Sequence, residues 1–140
     1  MLTLARTGGF KTEKARKRLL ETTQHILQVT QSVENLLPGG KGHLSTVRVR
    51  LLHAQVRRKI LELARKYPDY YDIDTLGIPI NDCDSIATIC TFSASLVWNS
   101  LPAFGIYLRE QEIVDFVAVW RLVAFYVGAP TEYVVRFLSD

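Results

Sequence analysis

His53 lies in the run Arg50-Leu51-Leu52-His53-Ala54-Gln55-Val56-Arg57. On a helix this spacing puts Arg50, His53 and Arg57 on one face. Two arginine cations disfavour the imidazolium and leave a nitrogen lone pair available. A neutral imidazole on a rigid helix suits the proximal position of a haem iron. The two guanidiniums then suit the haem propionates as bidentate partners. An ordinary hydrogen-bonded histidine is the other reading, and the spacing alone leaves both open. Arg18 and Thr22, at i and i+4 with Glu21 between them, form a second group. They border an apolar stripe, so they face either a site or solvent. His25 follows on nearly the same face and is a rival ligand. His43, beside Gly42, is expected in solvent. Arg121, next to Trp120, interrupts an apolar run and calls for an anion or a carboxylate partner.

Helices must position these side chains. A first helix is expected over residues 11–37, with Leu19, Leu20, Thr23, Ile26, Leu27, Thr30, Val33 and Leu37 as its apolar stripe. Pro38-Gly39-Gly40 ends it. A second runs over 45–66, capped by Ser45 or Thr46. Leu51, Leu52, Val56, Leu63 and Ala64 supply its apolar faces, and Arg65 and Lys66 complement its C-terminal dipole. Residues 67–81 read as a loop rich in tyrosine and acid. Asn81 caps a third helix that reaches about Ser100 and is closed by Pro102. A fourth spans 109–127, stopped by Gly128 and Pro130, and a short last one follows over 131–138. Residues 1–10 read as a frayed lead-in. No segment alternates like a strand. The expectation is an all-α domain with about four main helices and a short C-terminal one.

Length and composition narrow the classes. The chain has 140 residues, 48% apolar and 22% charged, as expected of one globular domain. Asp115 and Arg121 interrupt the greasiest segment, 113–127, so no ordinary transmembrane helix is expected. The first residues lack the apolar core of a secretory signal. Residues 1–66 hold 14 Lys+Arg against 4 Asp+Glu, whereas 67–140 hold 3 against 10. The halves either pack on each other or leave a basic face for an anionic partner. No base-stacking aromatics interleave the basic positions, so nucleic acid is not expected. Gly39-Gly40-Lys41-Gly42 is not a phosphate loop, and no Ser-His-Asp or Cys-His arrangement occurs. Cys83 and Cys90, seven apart, are too distant along a helix for a disulfide. Both are expected in the core, in a reducing compartment.

At these motifs the chain resembles the catalytic domain shared by latex-clearing rubber oxygenases and the ER-bound oxygenase of the MpaB type. Arg18-Leu19-Leu20-Glu21-Thr22 resembles the family's Arg-x-x-x-Thr helix, and 49–57 its haem-binding segment. Leu76-Gly77-Ile78-Pro79-Ile80-Asn81, Ile86-Ala87-Thr88, Trp120-Arg121 and Gly128 resemble its downstream helices. The likeness covers about residues 11–138. It implies a globin-like haem b fold, with His53 as the iron's proximal ligand. Arg18 and Thr22 would be the polar pair near the haem, and Arg50, Arg57 and Arg121 would bind the cofactor. It further implies oxidative cleavage of carbon–carbon double bonds in an isoprenoid or other apolar substrate, using O₂ in a channel with apolar walls. Rubber oxygenases carry a lysine just before the Thr, able to occupy the iron's far side, and Glu21 stands there instead. Glu21 is also the candidate to replace an upstream acid proposed as a base in those enzymes. Family domains are longer, so residues 1–140 are expected to form a single, incomplete domain. An intracellular location is expected, in the cytoplasm or, if an anchor exists, on the cytoplasmic face of the ER. The rival reading is a non-catalytic helical binding module, degenerate or basic-faced.

Overall fold

The structure, a computed structural model, describes residues 12–131. The expected lead-in and the helix after Thr131 lie outside them. Helix α1 (Thr12–Thr30) and helix α3 (Lys41–Lys66) run antiparallel, joined through the short α2 (Val33–Leu36). The first helix therefore stops at Thr30 instead of continuing to Leu37. Ser32 leaves it in an extended conformation, and its hydroxyl accepts the Asn35 N–H at 3.3 Å. A serine that caps a new helix competes with continuation of the old one.

α3 begins at Lys41, with Gly40 as its N-cap, so neither Ser45 nor Thr46 caps it. Close approach of α1 explains the earlier start. A Cβ on Gly42 would stand 2.8 Å from the Gln28 carbonyl oxygen and 3.1 Å from Val29 Cα. Gly42 therefore lies inside the helix pair rather than in a turn. Thr46 is fully buried there and donates its hydroxyl to the Gly42 carbonyl at 2.7 Å. α3 ends at Lys66 because Pro68 pushes Tyr67 out of the helical region.

The expected loop contains a 3₁₀ turn (Pro68–Tyr70) and helix α4 (Ile73–Leu76), capped by Asp72. Tyr71 folds back onto Ile60 and Ala64 of α3, with Ile73 and Leu76 beside it. Asn81 caps α5 (Asp82–Phe92) as expected, accepting the Asp84 N–H at 2.9 Å. α5 does not reach Ser100. Ser93 leaves the helix and is buried with its hydroxyl on the Ile89 carbonyl. A π turn (Leu96–Ser100) and the one-turn α6 (Leu101–Ala103) follow. Pro102 sits within α6 rather than closing a helix. It has no N–H to give, and the N–H of Leu101 reaches five residues back to Leu96.

α7 (Glu110–Val127) starts at Arg109, whose N–H and guanidinium both donate to Glu112. It ends at Gly128, with φ +88°. Trp120, Val123 and Ala124 of α7 meet Val29, Leu36 and Ile89 in the main core. Trp120 stacks on Phe92 at 5.4 Å, and its buried Nε1 has no partner among the described residues.

The described residues are all-α, with no strand among them. The apolar faces differ from expectation. Leu19, Leu20 and Leu27 of α1 and Leu51 and Leu52 of α3 are exposed. The line turned inward on α1 is Arg18, Thr22, His25 and Val29 instead. Two backbones drawn together at Gly42 leave no room for leucines between them. Cys83 is exposed and Cys90 half-buried, so Cys83 is not a core residue. By length and composition alone, Asp82–Ala103 is long and apolar enough to cross a membrane. The sequence expectation overlooked it because its serines, threonines and asparagine break the apolar run without adding charge.

Candidate functional site

The inward face of α3 runs Gly42, Thr46, His53, Arg57, Ile60, Ala64. His53 and Arg57 thus fall between the two apolar clusters. Across from them lies α1. Gly42 opposes Gln28 and Val29, and Ser45 Oγ is 2.9 Å from His25 Nδ1. In an antiparallel pair this register carries Thr22 to the level of Val49 and Arg18 to the level of Leu52 and His53.

One flank of α3 changes character along its length. Ser45, Val49, Leu52 and Val56 follow one another at helical spacing. The first two are half-buried, whereas Leu52 is 52% exposed and Val56 37%. Exposure along that flank thus rises from Ser45 to Leu52, while His53 on the inward face stays half-buried, as His25 does. Around His53, Leu52 and Val56 supply exposed apolar surface, and the register brings the half-buried Arg18 and Thr22 of α1 to nearly the same level.

Burial pushes His53 below its ordinary value of 6.5, and the Arg57 charge lowers it further. Burial also lowers His25, and the charge of His53 adds to it. Both rings are neutral at pH 7. The unfolded chain therefore takes up protons before the folded one as pH falls. The stability these histidines confer is complete above pH 6.5 and is lost as pH drops below it towards the lowered values. Urea unfolding is expected to show lower stability at pH 5.5 than at 7.5. The difference should shrink in the His25→Gln/His53→Gln double variant.

The three cofactor-binding arginines are placed differently from the sequence expectation. Arg57 donates from Nε to the Pro79 carbonyl at 3.1 Å and from Nη2 to the Ile80 carbonyl. Ile80 is β-branched yet has φ +53°, and this clamp offsets that strain. Arg57 thus ties the turn before α5 to α3. Arg57→Ala is expected to cost about 2 kcal/mol in urea unfolding, since hydrogen bonds from a charged donor contribute about 1.5–3 kcal/mol. It should also raise the His53 pKa by NMR titration. Arg57→Lys should recover only part of the stability, because an ammonium lacks the two-pronged geometry.

Arg50 donates to the Tyr126 carbonyl at 3.4 Å and packs its guanidinium on Gly128. It lines a shallow cavity of about 560 Å³ at the end of α7, with His43 and Tyr126. Arg121 is exposed on α7, with no ion pair among the described residues. Glu21 is also exposed and lies 3.8 Å from Lys17. Neither that cavity nor a second one along Arg57, Arg58 and Glu62 reaches His53.

The register thus places Arg18 and Thr22 at the level of residues 49–53, whereas Arg50 is held at the end of α7 and Glu21 and Arg121 are exposed. Ser45 was missed as a site neighbour because it was read as a cap. Its spacing of eight from His53 could have marked it as sharing that face. Among the described residues no group of three or more His, Cys, Asp or Glu side chains could hold a metal ion unaided.

No curated protein and no solved structure matches the chain. A family model described as the catalytic domain of the ER-bound oxygenase mpaB/B' and rubber oxygenase matches residues 3–137, nearly the whole sequence, and the chain belongs to that family.

Proposed function

We propose that this chain is the haem b-binding part of an oxygenase that cleaves carbon–carbon double bonds of an isoprenoid or other apolar substrate with O₂. One observation carries the reading: a neutral, half-buried His53 lies on the face of α3 turned to α1, beside the exposed Leu52 and at the level of Arg18. The donor set fits such a group. One imidazole without companion protein ligands among the described residues suits a metal whose remaining ligands come from a macrocycle. The exposed flank of Leu52 and Val56 supplies apolar surface for a flat ring to cover.

When bound, the haem supplies O₂ binding and activation. His53 is the residue that would hold the iron. Its lowered basicity keeps the lone pair free for the metal at neutral pH. Arg18 and Thr22, at the level of His53, would orient a polar group or hold a water. The exposed Leu52 and Val56 offer a hydrocarbon chain an apolar surface, which is the main recognition such a substrate permits. Arg57 acts at one remove, keeping His53 uncharged and the turn before α5 in place. Glu21, directed to solvent, is not included among these groups.

Haemin titration of the purified chain is the direct test. A Soret band with saturable stoichiometry is expected, followed by O₂ uptake and carbonyl products from an isoprenoid alkene. Arg18→Ala and Thr22→Ala should lower turnover more than haem content. Absence of a Soret band would sink the proposal.

A further inference from the structure

The longest uncharged stretch of the chain is residues 85–108, 24 in all. It begins in α5, anchored by Ile89 and the buried Ser93, and ends at an exposed tip. At that tip Phe104 is 82% exposed, Tyr107 78%, Ile106 49% and Trp98 47%. Gly105, with φ +73°, turns the chain between them. We propose that this tip, residues 96–108, docks into the interfacial layer of an uncharged lipid bilayer.

The segment has the length and composition of a membrane-crossing helix, and only 17% of its apolar window is buried in the protein. Crossing does not suit it. The helix breaks at Ser93, and Ile89 and Phe92 are held in the core against Trp120. Lying on the surface keeps those contacts and buries only the tip. The tip's residue types fit that position: Phe104 and Ile106 are apolar, while Trp98 and Tyr107 combine a ring with a polar group suited to the headgroup level.

A second copy of the chain fits less well. Phe104 and Tyr107 stand out around a left-handed turn, so they need an apolar recess to receive them. The two cavities described above carry Arg50 and Asp82, or Arg57, Arg58 and Glu62. The charges beside the tip also select the lipid. Arg109 is paired with Glu112 at 2.6 Å, and Glu110 is next to it. Nothing in that set favours an anionic surface. This inference is independent of whether His53 binds haem.

The test uses the full chain with phosphatidylcholine vesicles in a flotation assay. Wild type should partition, with little dependence on salt. The Phe104→Asp/Tyr107→Asp variant should partition at least about tenfold more weakly, because two exposed rings are replaced by charges. Leu27→Asp, on the exposed face of α1, should behave like wild type. In the unaltered tip, brominated acyl chains should quench tryptophan emission, and Trp98→Phe should remove that quenching. Four results would overturn the proposal: no partition of wild type, a requirement for phosphatidylserine, equal loss in Leu27→Asp, or quenching that survives Trp98→Phe.

Discussion

His53→Ala is expected to abolish haem binding while His25→Ala retains most of it. Removing a residue that only hydrogen-bonds to a metal ligand typically costs about 10–100-fold in affinity. Loss of the ligand itself should therefore exceed about 100-fold, and haemin titration followed by Soret absorbance measures it. The two histidines make a sharp comparison because both are half-buried and both are held neutral. They differ in what their nitrogens meet. His25 Nδ1 is engaged with Ser45 Oγ between α1 and α3. His53 lies beside the exposed Leu52. Far-UV circular dichroism should change little in either variant, since neither ring belongs to an apolar cluster. If His53→Ala binds haem as wild type does, the iron ligand lies elsewhere.

Gly42→Ala is expected to destabilise the protein by about 2 kcal/mol, and Gly42→Val by more. Helix propensity alone predicts the opposite, because alanine in a helix interior is favoured over glycine by about 1 kcal/mol. Contact decides the sign. The added Cβ meets backbone atoms of Gln28 and Val29, at 2.8 and 3.1 Å, and backbone cannot swing aside as a side chain can. Overpacking of this kind typically costs 1–3 kcal/mol. Relief requires α1 to move away from α3, which lengthens the His25–Ser45 contact. Urea unfolding gives the stability change, and the His25 NMR titration reports the contact. A stabilised Gly42→Ala variant would show that the helices do not touch there.

Much of this arrangement is legible in the sequence, for identifiable reasons. Asn81, Gly128 and the Pro68 stop act within a few residues, so local chemistry reveals them. The grouping of Arg18 and Thr22 with His53 is an expectation from helical spacing and the family resemblance together, and the register of α1 on α3 is compatible with it. What escaped was non-local. The α1 leucines point outward because Gly42, on another helix, brings the backbones too close for them. The guanidiniums of Arg50 and Arg57 serve carbonyls at Tyr126, Pro79 and Ile80, up to 76 residues away. A spacing rule sees which face an arginine shares and cannot see what another element brings to it. The interruption at Ser93 was hidden for the same reason: a serine is tolerated in a helix until a buried site draws it out.

The antiparallel seam also sets an order of events in time. The His25–Ser45 contact closes a separation of only 20 residues, whereas Arg50 and Tyr126 are 76 apart. Short closures form ahead of long ones. During synthesis both members of the first pair have emerged before any of α5 or α7 has been made. At about 5–20 residues per second, the rest of α7 follows only seconds later. In that interval both histidines of α1 and α3 have been made, while Trp120 and Val123, which cover Val29 in the finished core, have not. Vectorial growth thus supplies the candidate ligand set first and the apolar core that locks it afterwards.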